Sequence, residues 1–427
     1  MIFKSILFLL NLIIGGMFLW RYFYRSTFFL AQTIFVGAYS VIIFFLITIG
    51  IPLNKIMAFF PLTLVPFVFY KINTAQWRNL LPEKKRNIYT NILGFLVVII
   101  LFMGIMHVLK SPICEGDGLG IWLTKAKMIT QDKTILSENF LNPYRIQDHP
   151  RYPLLLPILE ASLFTSAGID EWLVKIIFVY IWILILGSFY ESFNRKSFNA
   201  SLVLIVILSV VPAYYTMKHG GLDTGYADIP LSLFYLSVFI LLNNYFDTGE
   251  RKYLIGAGLC LSYAIFTKSE GLVFAPIILI LFIIFKKKIL DVLIIITATV
   301  IPALPWLITA QQLPGLYAEH YLSYVPEFFQ YLHRIPMIVK TALLEVVNIK
   351  HWGIFWLFSL FVLIYSRPKR EVGYFSLAVG TLMFFYLGIF LVTPWDVEFQ
   401  MKVVFPRMLL HIIPATLFLV ARQFFWN

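Results

Sequence analysis

Long apolar runs, broken by short polar knots, recur from one end of the chain to the other. They read as about 13 spanning helices, at roughly 3–20, 28–51, 56–70, 91–109, 172–190, 200–217, 229–246, 253–267, 272–285, 289–309, 352–366, 372–393 and 404–421. A helix needs ~20 apolar residues to cross a ~30 Å hydrocarbon layer, and several of these runs are short of that. Residues 2–20 are too long and too apolar for the core of a cleavable signal segment, and are read as a retained first helix. One further apolar run, 153–167, begins Pro153-Leu154-Leu155-Leu156-Pro157 and is left out of the spans. Short, proline-punctuated runs are often re-entrant or interfacial. Parity agrees: if 153–167 crossed, Arg195-Lys196 and Lys84-Lys85-Arg86 would face opposite sides. The same reasoning makes 253–285 a hairpin. Its ends, Arg251-Lys252 and Lys286–Lys288, share one side, and Lys268-Ser269-Glu270 forms the turn.

This pattern predicts an all-α, polytopic transmembrane bundle with a structured first outer loop. The outer side carries 110–171, 218–228, 310–351 and 394–403. A loop as long as 110–171 is usually functional or a folded unit. Within it Leu119, Trp122, Leu123, Ala126 and Ile129 recur at helical spacing, flanked by Lys125 and Lys127. The expectation is a helix lying on the bilayer, its lysines reaching phosphates. The chain divides into residues 1–89, N-terminal transmembrane helices with a basic cytoplasmic loop, and residues 90–427, the remainder with its outer loop.

Composition supports the membrane class. The 427 residues are 60% hydrophobic and only 13% charged, where a soluble domain has about 25% charged residues. The net charge of +12 is no nucleic-acid footprint, because the basic residues sit in short loops, as a positive-inside bias requires. Nucleic acid is therefore excluded as a partner, and membrane lipid is implied. Most acids fall on the outer side. Cys114 lies in a loop and Cys260 in an apolar run, so no disulfide is expected.

The polar knots on the outer side hold the candidate chemistry. Glu115-Gly116-Asp117-Gly118 follows a spanning helix directly. It suits a general base or metal ligand at the membrane surface, or else a plain solvated turn. His149-Pro150-Arg151-Tyr152-Pro153 leads into the short apolar helix. Arg151, with His149, suits a lipid phosphate at a helix start, and a basic interfacial anchor is the alternative. In His219–Asp228, two acids and three glycines precede a span. Asp228 either caps that helix or faces Asp117 as a second carboxylate, with Asp223 the weaker candidate. Lys268 and Glu270 interrupt an apolar stretch, where charges mark functional sites by default, or pair with one another. Arg407 lies at the outer end of the last span, placed to snorkel or bind an anion, with His411 one turn deeper on the same face. His320, His333 and Arg334 match no metal spacing, and no HExxH, CxxC, Walker A, GxSxG or Rossmann pattern occurs.

Asp117 after a span, then Trp122…Lys125-Ala126-Lys127, then His149-Pro150-Arg151-Tyr152-Pro153-Leu154 resembles the first outer loop of the GT-C superfamily. These are membrane glycosyltransferases that use polyprenyl-phosphate-linked sugars. The nearest branch is similar to the protein mannosyltransferase and aminoarabinose transferase group. Gly225-Tyr226-Ala227-Asp228-Ile229-Pro230-Leu231 is similar to that group's second acidic element. Thr267–Leu272 and Arg407…His411 resemble elements of related members. The resemblance covers about 90–421. It departs where the family often has an adjacent acidic pair: here Gly118 follows Asp117, which leaves Asp117 as a single base.

The resemblance implies an inverting glycosyltransferase at the extracytoplasmic face of a membrane, with the bacterial inner membrane the expected location. The donor is a polyprenyl-phosphate sugar, and the acceptor a saccharide, lipid or protein. Asp117 and Asp228 are the expected catalytic residues, with Asp117 the base. Lys125, Lys127, His149, Arg151, Tyr152, Lys268, Glu270 and Arg407 are expected to bind substrate. A divalent metal is left open, without assigned ligands. Two rivals stand beside this reading. A lipid-linked saccharide flippase would place charges along a path through the midplane, as Lys175, Glu160 and His411 allow. A non-catalytic subunit of an envelope complex would need no paired acids.

Overall fold

The computed structural model describes residues 1–24, 27–69, 88–114, 116–194, 196–285, 288–315, 321–365 and 370–425. Glu115, Lys84–Arg86, Arg195, Lys286-Lys287 and His320 lie outside them. Among the described residues there are helices and no strands.

The N-terminal half comprises α1 (Ile2–Tyr22), α2 (Phe28–Thr48), α3 (Lys55–Ala58), α4 (Val65–Phe69), α5 (Ile88–Val108), α6 (Thr124–Asp132), α7 (Leu155–Ala167), α8 (Ile176–Phe193), α9 (Phe198–Ser209) and α10 (Ala213–Thr216). The rest comprises α11 (Asp228–Thr248), α12 (Arg251–Thr267), α13 (Gly271–Phe285), α14 (Ile289–Gln312), α15 (Ile335–Val346), α16 (Ile349–Trp352), α17 (Phe355–Tyr365), α18 (Arg370–Ile389) and α19 (Val397–Phe425). Among the described residues, eight stretches are long and apolar enough to cross a membrane: α1, α2, α5, α8 with the turn before it, α9 with α10, α11, α14 and α19. The shorter α12, α13, α17 and α18 run between them. The core is a sheath of helices around α11, nearly all of whose residues are buried. Small residues let the helices close up where lipid gives no hydrophobic drive to do so. The Tyr263 ring lies where a Cβ on Gly37 would stand, and the Phe29 ring does the same at Gly187.

The bundle has two distinct ends. At one, Tyr24 bonds the Lys252 carbonyl at 2.9 Å, Glu191 takes the Phe29 amide at 3.0 Å, and Arg251 meets Asp291 at 2.8 Å. At the other, the Leu53 amide bonds Lys133 at 2.8 Å, Lys175 bonds Ser111 at 2.8 Å, and Arg334 bonds Leu391 and Thr393 at 3.1 and 2.9 Å. Segments 110–171, 218–228 and 268–270 gather at this second end, the site end. The short helix α7 starts and finishes there, with Gly168 beside Met1. It packs against α6 and over α1, α2 and α3, a short apolar helix as expected, while Lys84–Arg86 and Arg195, on which the parity argument turns, lie outside the described residues.

The expected third span is a different object. Instead of one helix over 56–70, the chain forms α3, the 3-10 turn Phe60–Leu64 and α4. Pro61 and Pro66 remove backbone donors and break the helix. The segment still runs the depth of the bundle. Asn54 lies near the site end, Ala58 and Leu62 lie beside Asn11 at the middle of α1, and Phe67 accepts a bond from Tyr22 at 2.9 Å near the opposite end. Broken backbone survives at membrane depth only when its polar groups find protein partners. Here Asn11 donates to the Ala58 carbonyl at 3.0 Å and accepts the Leu62 amide at 3.1 Å. Tyr39 also donates to the Ala58 carbonyl, at 3.0 Å.

The first outer loop is helical as expected, with a wide turn over Gly118–Leu123 running into α6. Its stripe does not face the bilayer, however. Trp122, Leu123, Ala126 and Ile129 are buried, packed on α7. Lys125 is 0% exposed and Lys127 pairs with Glu171, so neither extends to lipid phosphates. The stripe packs inward because α7 offers a second apolar surface beside it.

Candidate active site

Two loops and two helix ends build the site. The 109–117 connection is anchored from beneath by Lys175 on Ser111, and by the Ile113 amide on the Glu171 carbonyl at 3.2 Å. It delivers Asp117 to the site end. The 217–227 loop turns through Gly220 and Gly225, at φ +90° and +79°, a region that glycine enters without steric cost. The two loops touch backbone to backbone. A Cβ on Gly118 would stand 2.0 Å from the Thr224 carbonyl oxygen, and one on Gly116 2.8 Å from the Tyr226 hydroxyl. The glycines flanking Asp117 are therefore required by this approach.

Arg407, from α19, bridges the two acids. Its Nη1 donates to Asp117 at 3.0 Å, and its Nη2 and Nε reach the two oxygens of Asp228 at 3.3 and 3.4 Å. Paired N–H donors suit this fork-like contact. Asp228 is the first residue of α11 but makes no cap bond. Instead its Oδ1 also takes Lys268 at 2.9 Å and His411 at 2.7 Å. Lys268 in turn holds Glu270 at 2.8 Å. Burial raises the Glu270 carboxyl, but Lys268 and His411 outweigh it and hold it below the ordinary carboxylate value. Behind His411, Tyr386 lies 3.3 Å from its Nδ1 and 3.1 Å from the Tyr235 hydroxyl, which donates to the Glu270 carbonyl at 3.0 Å.

The two acids differ sharply in access. Asp117 is 40% exposed, whereas Asp228 is fully buried. A carboxylate without solvent contact must be compensated by charge and hydrogen bonds, and Asp228 has Arg407, Lys268 and His411. Asp228 accordingly has no surface with which to meet a bound molecule. Asp223 belongs elsewhere: it pairs with Lys110 at 3.2 Å and His107 at 3.5 Å.

The structure thus joins Asp117, Asp228, Lys268, Glu270 and Arg407 in one cluster. Lys125, His149, Arg151 and Tyr152 make a second one, where the wide turn meets the start of α7. Lys125 donates to the Tyr152 carbonyl at 3.2 Å and lies 5.6 and 5.5 Å from the Trp122 and Tyr152 ring centres. His149 lies against the Tyr152 ring, and Arg151 donates to the Leu313 carbonyl at 2.8 Å. Lys127 is in neither cluster, being tied to Glu171. His333 bonds the Gln330 carbonyl at 2.8 Å. Tyr226, Tyr235 and Tyr386 were not among the expected residues. Tyr226 sat inside a flagged motif, but nothing in the sequence pairs α18 with α19, so Tyr386 carried no signal. Among the described residues no three of His, Cys, Asp and Glu converge as metal ligands.

No curated protein matches the chain, and no solved structure does. Asp228, Lys268 and Glu270 fall within a segment that a family model does match, whereas Asp117 and Arg407 fall outside it and join by folding alone. That segment, residues 148–308, matches the dolichyl-phosphate-mannose-protein mannosyltransferase family, a GT-C superfamily domain, and so supports a membrane glycosyltransferase.

Proposed function

We propose that this protein transfers a sugar from a polyprenyl-phosphate donor to an acceptor hydroxyl at the extracytoplasmic face of a membrane, with the bacterial cell membrane its setting. The observation that carries this reading is one half-exposed carboxylate, Asp117, sharing a guanidinium with a fully buried one, Asp228. A phosphate leaving group is already anionic. The site must therefore supply positive charge to it and a base to the acceptor, and Arg407 and Asp117 stand side by side for those tasks.

In this mechanism the acceptor oxygen attacks the anomeric carbon and gives its proton to Asp117. The bond from that carbon to the phosphate oxygen breaks, and its electron pair stays on the phosphate. Attack opposite the leaving group inverts the configuration. Arg407 meets the phosphate, with Lys268 behind it. Asp228 acts through Arg407 as a positioning residue, since it has no exposed surface. Glu270 holds Lys268. The second cluster, with Arg151, His149 and Tyr152, flanks the path of the lipid phosphate. Membrane lipid supplies the donor, and the acceptor is a saccharide, lipid or protein.

The test is transfer in proteoliposomes, comparing wild type with Asp117→Asn. Radiolabelled polyprenyl-phosphate sugars are offered in turn with acceptors from a native-membrane extract. Loss of transfer in the variant at equal folding is expected. Unchanged transfer would remove Asp117 as the base. Movement of the donor between leaflets without any transfer would replace the transferase by a flippase.

A further inference from the structure

The geometry points to Tyr226 as the residue that sets the distance and angle between the base and the phosphate-binding guanidinium. This deepens the transferase reading and rests on it. Three parts of the site, from three different elements, converge on this one side chain. The Asp117 backbone N–H donates to the Tyr226 hydroxyl at 3.0 Å. The Arg407 guanidinium lies over the face of its ring, 4.6 Å from the centre. His219 Nδ1 lies 3.0 Å from the same hydroxyl.

Tyr226 is 1% exposed, so it is held by the fold and is not itself a surface group awaiting substrate. Its backbone is placed by the left-handed turn at Gly225, which packs on Ile113 of the loop that bears Asp117. Burial, and the neighbouring Asp117, push the phenol up to about 12, so it stays protonated at working pH. A phenol has one proton to donate. Because its oxygen accepts the Asp117 amide, that proton is free for His219 Nδ1. The hydroxyl thus fixes the backbone of the base, while the ring fixes the guanidinium by cation–π contact.

The two contacts separate chemically, and that makes the inference testable. Tyr226→Phe keeps the ring under Arg407 and removes only the oxygen, with its bonds to the Asp117 amide and to His219. Tyr226→Leu removes both ring and oxygen. The measurement is steady-state sugar transfer by the full-length protein in proteoliposomes, with donor concentration varied. Binding of polyprenyl phosphate in vesicles is measured alongside. The Phe variant is expected to lose between about tenfold and a hundredfold in kcat, as small misplacements of a reacting group do, with donor KM unchanged. The Leu variant is expected to lose kcat and also to bind polyprenyl phosphate several-fold more weakly. A merely structural tyrosine would give no such split. A Phe variant with wild-type kcat would overturn the assignment, and so would Phe and Leu variants with equal losses of phosphate binding. Absence of transfer by wild type with every donor would overturn the transferase reading, and this assignment with it.

Discussion

At the scale of single residues, the site is a competition for Arg407. Its Nη1 is held by Asp117 at 3.0 Å, and in the proposed mechanism the incoming phosphate would need the same face. Asp117 and the phosphate are like charges on one guanidinium, so removing the carboxylate relieves repulsion. Asp117→Asn is therefore expected to lower transfer by about a hundredfold or more, while polyprenyl-phosphate binding in vesicles stays equal or tightens. Asp228→Asn should behave in the opposite way. It strips the buried compensation from Arg407 and Lys268, at a cost of about 3–5 kcal/mol, which thermal unfolding in detergent would show as a lowered midpoint. Glu270 sets a limit on the acid side. Its folded-state carboxyl titrates below the usual 4.5, Lys268 and His411 outweighing burial. The stabilisation is then complete above that value and fades as pH falls through the folded-state titration. Glu270→Gln is expected to flatten the acid limb of thermal stability.

At the scale of elements, the unusual feature is the broken crossing of α3, the 3-10 turn and α4. Asn11 has the donor and the acceptor that a continuous helix would have spent internally. Replacing it by Leu removes two hydrogen bonds, leaving the Ala58 carbonyl with Tyr39 and the Leu62 amide with the Phe59 carbonyl at 3.0 Å. The expected cost is about 1–3 kcal/mol, measured by thermal unfolding. Asn11→Ser, which keeps hydrogen-bonding groups, should cost less. The loop contact around Asp117 is equally demanding. Gly118→Ala places a methyl 2.0 Å from the Thr224 carbonyl, so the two loops must part and transfer should fall while the helical content stays. Sequence periodicity located the helices of the bundle because lipid exposure and burial both demand apolar faces. It could not see the break at 59–64, because prolines occur in intact transmembrane helices as well. Nor could it tell that the Trp122–Ile129 stripe packs on α7, since an amphipathic stripe reads the same against protein as against lipid.

At the scale of the whole molecule, the question is which face carries the site. Cys114 is exposed at the site end, and Cys260 is buried in α12. Wild-type protein in intact, right-side-out cells should therefore be labelled by a membrane-impermeant maleimide, and Cys114→Ser should abolish the label. Labelling only after the cells are opened would place the site on the cytoplasmic side and overturn the proposed orientation. At the opposite end, Arg251–Asp291 and Arg422–Asp247 tie neighbouring helices at 2.8 and 3.1 Å.

The sequence by itself determined the class, the order of most of the helices and the gathering of polar knots at one end, but not the number of crossings: it reads as about 13 spans, whereas eight stretches among the described residues are long and apolar enough to cross. These follow from local quantities: run length, hydropathy and the placement of Lys and Arg in loops. It also singled out Asp117, Asp228, Lys268, Glu270 and Arg407, because charges beside apolar spans stand out. Only the tertiary structure decided what those residues do to one another. Asp117 and Arg407 lie 290 positions apart, and a single guanidinium joins them. Burial, which separates the half-exposed Asp117 from the enclosed Asp228, is a property of neighbours supplied by α12 and α19. The pairing of Lys127 with Glu171 and the enclosure of Lys125 were set the same way, by which surface each helix found beside it.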